Sequence, residues 1–242
     1  MNIFCLDTSG PVLSAALQWD GGVVSLEVDA GGKHSGLLLS VMDNLLKTAG
    51  VKPIALDLAA CMRGPGSWTG IRVGFAAVKG IAAAHGATAV SIPTLDCMAL
   101  PFMDGEADGT RTVARKMVVP AIDSRRQQFY TAVYRGGERV TDYLDVQPDA
   151  LVPMLRGGSE EVEIEEEILL TGPDADKLRG VLSGLLMEKH EKRLSVDPYF
   201  SRGQARNMLR FLAKGDRMKW DGELSVPLYI RKSDAEEKWQ KL

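Results

Sequence analysis

Short apolar runs closed by turn residues alternate along this chain with stretches of helical period. Ile3-Phe4-Cys5-Leu6 is a continuous apolar run ended by Asp7-Thr8-Ser9-Gly10-Pro11, the pattern of a strand entering a tight turn. Val12 to Gln18 reads as a second strand, Asp20-Gly21-Gly22 as a hairpin turn and Val23 to Val28 as the return strand. Gly31-Gly32 breaks that pattern, and from Ser35 to Ala49 the period changes. Leu38, Val41, Met42, Leu45 and Ala49 share one stripe, widened by Leu39 and Leu46, with Ser40, Asp43, Asn44 and Lys47 opposite and Gly50 as a stop. Leu56 to Met62 predicts a strand, Ile71 to Ala84 a helix, Ala89 to Ile92 a strand and Thr94 to Met103 a helix.

Residues 104–116 shift to Asp, Gly, Glu, Arg and Lys and read as a boundary loop. Beyond it Lys116 to Asp123 predicts a strand, with Pro120 placing it at an edge or a bulge. Gln127 to Tyr134 and Arg139 to Val146 predict a hairpin about Gly136-Gly137, and Glu160 to Glu167 reads as a solvated acidic surface. Ile168 to Leu170 predicts a strand, Asp174 to Leu186 and Gly203 to Lys214 helices, and Pro227 to Ile230 an extended segment. The fold class is α/β: two lobes, residues 1–103 and 116–231, each a mixed sheet with helices on it, then a charged tail at 232–242.

Composition narrows the functional classes. The 242 residues are 45% hydrophobic and 25% charged, which suits a packed globular chain and not a disordered one. A net charge of −3 argues against a chain that grips nucleic acid alone, because neutralising phosphates needs a basic excess. Cys5, Cys61 and Cys97 form neither a metal-binding pair nor a disulfide framework. With no signal-peptide pattern and no apolar run of membrane-spanning length, the expectation is reduced thiols, a cytoplasmic location and no membrane contact.

The sharpest chemical feature is the loop Gly64-Pro65-Gly66-Ser67-Trp68-Thr69-Gly70 between a strand and a helix. It can be an anion-binding loop at a helix N-terminus or a tight structural turn; the spacing fits neither a Walker A loop nor a dinucleotide fingerprint. The following helix carries Gly70, Gly74, Ala77 and Gly80 at near-helical spacing, a smooth face for close helix approach. Together with the wide apolar stripe of the first helix it forms the candidate partner face. That face takes in His34, Leu38, Val41, Met42 and Leu45 from one helix and Ile71, Gly74, Phe75, Ala77, Val78 and Ile81 from the other. His34 has leucine, not a second ligand, four residues on, so no metal site and no catalytic residue is assigned. Asp7 and Asp123 hold parallel places in the two halves. They read as turn caps or, in a phosphotransferase, as carboxylates facing across a cleft. Arg111, Arg115, Lys116, Arg125 and Arg126 read as a solvated basic surface, with RNA contact as the alternative.

The opening Met1 to Ser9, Lys33-His34-Ser35 before a leucine-rich helix, the run Gly64 to Gly74, Ile122-Asp123-Ser124-Arg125-Arg126-Gln127-Gln128-Phe129-Tyr130 and Pro227-Leu228-Tyr229-Ile230-Arg231 together resemble the TsaB (YeaZ) family. Trp68 stands where that family usually has phenylalanine. The resemblance implies two actin-like (ribonuclease H-like, ASKHA) lobes and a non-catalytic paralogue of TsaD. TsaD, with TsaB and the ATPase TsaE, transfers a threonylcarbamoyl group to adenosine 37 of ANN-decoding tRNA. It implies heterodimerisation with TsaD through the first two helices, a homodimer when alone, and tRNA contact only through the complex. TsaD carries a His-x-x-x-His metal motif, and here its two positions read His34 and Leu38. ATP and metal are therefore expected on the partner subunits, with no cofactor on this chain. An autonomous ATP-dependent phosphotransferase and, from an older glycoprotease label, a metallopeptidase are the alternatives.

Overall fold

The computed structural model describes residues 1–103, 116–155, 166–186, 191–199, 202–214 and 226–231. The boundary loop, most of the acidic run and the charged tail lie outside these residues. In chain order the elements of the first half are β1 (Ile3–Asp7), β2 (Val12–Trp19), β3 (Gly22–Asp29), α1 (His34–Ala49), β4 (Leu58–Gly64), α2 (Trp68–His85), β5 (Thr88–Pro93) and α3 (Thr94–Met103). The second half comprises β6 (Lys116–Arg125), β7 (Gln128–Thr131), β8 (Tyr134–Arg135), β9 (Glu138–Arg139), β10 (Leu144–Val146), α4 (Pro148–Leu155), β11 (Glu167–Thr171), α5 (Ala175–Ser183), β12 (Leu194–Val196) and α6 (Ala205–Ala213).

The first sheet runs β3-β2-β1-β4-β5, antiparallel through the meander and parallel from β1 onward. Alternation along β1 explains its two faces. Phe4 and Leu6 join Leu38, Leu45, Phe75 and Val78 under α1 and α2, whereas Ile3 and Cys5 join Met208 and Leu209 on the opposite face. That opposite face is covered by α6, so the chain returns to the first lobe after completing the second sheet, and the 116–231 boundary does not hold for this helix. Its register is locked where Gln204 N donates to Asp7 Oδ2 at 3.0 Å and Ala205 N donates to Ser14 Oγ at 3.0 Å.

The second sheet runs β10-β7-β6-β11-β12, with β8 and β9 beside β6. One face packs on α4 and α5 through Met117, Val119, Leu151, Leu178 and Leu182. The other packs on α3 through Val118, Ile122, Leu95, Met98 and Ala99. Helix α3 thus touches both sheets, with Cys97 facing the first.

Pro120 lies in a central strand, not at an edge. The antiparallel partner of β6 changes there: β8 pairs at Met117 and Val118, and β7 pairs from Ala121 onward. The missing proline N–H therefore falls where the ladder is already broken. The hairpin about Gly136-Gly137 shrinks to the two-residue strands β8 and β9. The longer β7 turns back on β6 through Arg126-Gln127 and takes β10 on its other side. At the end of the acidic run, Glu166 pairs with Arg135 at 2.8 Å and Glu167 with Lys116 at 3.2 Å, so these two carboxylates tie strands together instead of facing solvent alone.

Candidate functional site

A cleft of about 910 Å³ opens between the lobes. Its first-lobe wall is built from Ser9, Gly10, His34, Ser35 and the glycine loop, and its second-lobe wall from Ile122, Asp123, Ser124, Arg125, Tyr130 and Asp174. The loop folds as it does because α2 begins inside it: Ser67 caps the helix by accepting from Gly70 N at 3.2 Å, three residues before the sequence pattern starts the helix.

The glycines answer the choice between anion loop and structural turn. A Cβ on Gly70 would lie 1.9 Å from the Thr8 carbonyl oxygen, one on Gly66 2.6 Å from that of Ser9, and one on Gly74 2.7 Å from Thr8 Oγ1. Thr8 Oγ1 donates to the Gly70 carbonyl at 2.7 Å, and Ser67 N donates to the Ser9 carbonyl at 2.7 Å. The glycines therefore let α2 sit directly on the β1–β2 turn, and only side chains such as Ser67, Trp68 and Thr69 remain to face the cleft.

The two aspartates do not face one another across that cleft. Asp7 is buried, and its carboxylate accepts from Ser9 N at 2.8 Å, Ser9 Oγ at 2.6 Å and Gln204 N. Burial pushes its pKa up against the pull of those donors. Asp123 lines the cleft but is bound by Lys177 Nζ at 2.6 Å and by Arg125 N at 2.8 Å, and the lysine holds its pKa down. Asp7 does not line the cleft and Asp123 is ion-paired there, so the facing carboxylates that the phosphotransferase alternative requires are not found.

His34 begins α1 and is 8% exposed, with no hydrogen-bond partner on Nε2 among the described residues. Leu38, one turn on, is in the hydrophobic core. The TsaD-type metal motif therefore does not fit: its second position is an apolar side chain packed in the core. Among the described residues no three His, Cys, Asp or Glu side chains come together as a metal site. Cys5, Cys61 and Cys97 are buried free thiols whose pKa values burial raises far above the ordinary range.

The candidate partner face needs correction residue by residue. His34, Leu38, Val41, Leu45, Ile71, Gly74, Phe75, Val78 and Ile81 are buried, because the apolar stripes of both helices are used in covering the first sheet. Met42 and Ala77 are half-buried and reach the surface. The outer side of the same two helices carries Gly36, Leu39, Ala76, Gly80 and Ala83, all exposed, and Leu39 is 73% exposed. Reading outward from the buried stripe would have found them: they are the small and apolar residues left over on the polar side.

Trp68 was legible as an unusual residue, but not its partners. Its ring lies 4.1 Å from that of Tyr229, and the Arg72 guanidinium lies 4.1 Å over it. Arg125 lines the cleft and Lys116 is paired, so the basic residues do not form one surface; Arg111 and Arg115 lie outside the described residues. No helix among the described residues is long and apolar enough to cross a membrane.

Fold and cleft together define a two-lobed α/β protein with a site between its lobes. The sequence profile of the TsaD family, tRNA N6-adenosine threonylcarbamoyltransferase, matches residues 14–239. The chain belongs to that family, and within it to the TsaB (YeaZ) group. The tRNA threonylcarbamoyladenosine biosynthesis protein TsaB of Escherichia coli is 27% identical over 248 residues, spanning 100% of this chain and 98% of that protein. Its Bacillus subtilis counterpart is 25% identical over 99% of this chain and 98% of its own length. Among solved structures, a Pseudomonas aeruginosa protein described as similar to the peptidase YeaZ superposes with a TM-score of 0.71 at 24% identity, over 95% of this chain and 99% of that one. YeaZ of the same organism gives 0.67 at 22% identity, over 95% and 99%. These two structures share the fold described above.

Proposed function

We propose that this chain is a non-catalytic subunit of the assembly that forms threonylcarbamoyladenosine on tRNA. It docks on a TsaD-type catalytic subunit through the outer faces of α1 and α2, with TsaE as the further partner, in the cytoplasm where tRNA is modified. It contributes no metal, no ATP site and no reacting group, and tRNA reaches it only through the complex. Alone, it pairs with a second copy through the same face.

The observation that carries this reading is the pairing of His34 with a core leucine at position 38, where a metal-dependent paralogue needs a second ligand. Asp7 and Asp123, each already bonded within the chain, support it. The full-length relatives named for threonylcarbamoyladenosine biosynthesis supply the pathway. Ala76, Gly80 and Ala83 give α2 a strip of small exposed residues, flanked by Arg72 and Lys79, on which another helix can approach.

Size-exclusion chromatography with the TsaD protein of the same organism tests the docking face. The parent chain is expected to co-elute as a one-to-one complex, and Ala76→Arg and Ala83→Glu, both exposed, are expected to abolish co-elution while keeping the native circular dichroism spectrum. Unchanged co-elution of both variants would overturn the assignment of this face.

A further inference from the structure

The segment 226–231 touches both lobes within a few residues. On the first lobe Leu228 N donates to the Arg63 carbonyl at 2.8 Å, at the end of β4, and Arg63 Nε donates to the Val226 carbonyl at 3.4 Å. The backbone there lies so close to Gly64 that a Cβ on that glycine would stand 2.9 Å from the Leu228 carbonyl oxygen. Tyr229 stacks on Trp68 and accepts from Arg72 Nε at 3.2 Å, which fixes the segment to the first turn of α2. Two residues further on, Arg231 crosses to the second lobe. Its Nε donates to Asp145 Oδ2 at 2.6 Å and its Nη2 to Asp145 Oδ1 at 3.0 Å, a two-pronged pair on β10. The same guanidinium reaches the Ser124 carbonyl at 2.9 Å, Ser124 Oγ at 3.2 Å and Gln128 Oε1. Its side chain is 17% exposed and that of Asp145 12%.

We propose that residues 226–231 are a clasp that fixes the angle between the two lobes, with Arg231 as its latch. The guanidinium fits the role because it is planar, always charged and able to satisfy a carboxylate, a carbonyl and a hydroxyl at once; lysine could hold only part of this set. Other ties between the lobes lie elsewhere. Asp96 on α3 accepts from the hydroxyls of Tyr134 at 2.5 Å and Tyr143 at 2.6 Å. The clasp alone of these runs from the loop that opens α2 to the β6–β7 hairpin, so its release opens the cleft without unfolding either sheet. Because it grips Trp68 and Arg72, it also ties lobe angle to the helix assigned above to partner docking; this last link rests on that assignment, and the test below does not.

The test uses the full chain with spin labels on Thr48→Cys in α1 and Asp149→Cys in α4, both exposed. The native thiols are buried and protonated and do not compete for the label. With labelled chain diluted in excess unlabelled chain, so that only pairs within one protomer are read, pulsed electron paramagnetic resonance is expected to give one narrow distance for the parent. Arg231→Ala is expected to at least double the width of the distribution or add a longer distance, and Arg231→Asp combined with Asp145→Arg is expected to restore the narrow one. Tyr229→Ala, an exposed change that leaves Arg231 intact, is expected to broaden the distribution less and to shift Trp68 emission to the red, read against Trp68→Phe. If Arg231→Ala does not fold, Tyr229→Ala decides. A folded variant that keeps the parent's single narrow distance overturns the clasp.

Discussion

Two turns built on the same local grammar sit at the two edges of the cleft. In each an aspartate at or near a strand end accepts from a backbone N–H two residues on: Asp7 from Ser9 and Asp123 from Arg125, both at 2.8 Å. Their surroundings differ. The Asp7 turn is buried beneath α2, and three glycines of that region have no room for a Cβ against it. The Asp123 turn is open to solvent and is followed by Arg125, Arg126 and Gln127 at φ of 72°, 54° and 62°, where glycine or asparagine is the usual choice. A turn in the core specifies its neighbours and admits no extra atom. A turn at the surface tolerates residues at positive φ, because their side chains stay exposed.

The largest effect that can break this comparison is at the buried turn. Gly70→Ala forces a methyl group onto a backbone carbonyl and is expected to lower the free energy of unfolding by about 3 kcal/mol or more, read from urea denaturation. A fully stable variant would show that the contact is not as close as described. Next, Asp7→Ala strands buried donors on Ser9 and Gln204 and is expected to cost about 3 kcal/mol. Asp123→Ala removes a partly exposed pair with Lys177 and is expected to cost less than about 1 kcal/mol. Equal losses would erase the distinction between the turns. Smaller again, Gln127→Gly is expected to raise stability by about 0.5–1 kcal/mol, because glycine adopts positive φ without a Cβ clash.

The subtlest difference is one of sign with pH. Asp7 has a folded pKa above its ordinary 3.8, so the unfolded chain loses its proton first. Its contribution is full below 3.8 and declines as pH rises from there through the folded value. Asp123 has a folded pKa below 3.8, so its contribution is full above 3.8 and is lost as pH falls through the folded value. Unfolding free energies of the parent, Asp7→Asn and Asp123→Asn across acid to neutral pH should give difference curves of opposite slope. Slopes of the same sign would contradict the assigned environments.

Much of this was legible in the sequence because local pattern and tertiary need agreed. The Asp20-Gly21-Gly22 turn, the α1 stripe and the Thr94–Met103 helix depend on neighbours in the chain and form where periodicity and turn chemistry put them. The second half was harder. Helix α4 carries Pro148 at its start and Pro153 inside it, which hides its period, and β12 is only Leu194–Val196, too short to show alternation. At the site, the lost ligand beside His34 could be read from a four-residue spacing. Whether the stripe covers a sheet or meets a partner could not, because an apolar stripe looks the same in both cases. The contacts of Trp68 with Tyr229, and of Arg231 with Asp145, join residues far apart in the chain and leave no local signal.

The most direct test of a non-catalytic role in threonylcarbamoyladenosine formation is reconstitution. Transfer RNA, the TsaD and TsaE proteins of the same organism, ATP and an enzymatic source of threonylcarbamoyl-adenylate are combined with and without this chain, and modified adenosine is measured by mass spectrometry. Product should form only when the chain is added, and folded His34→Gln should support it as well as the parent does. Equal product without the chain in a verified active assay, or product abolished by His34→Gln while the complex still assembles, would contradict the proposed role.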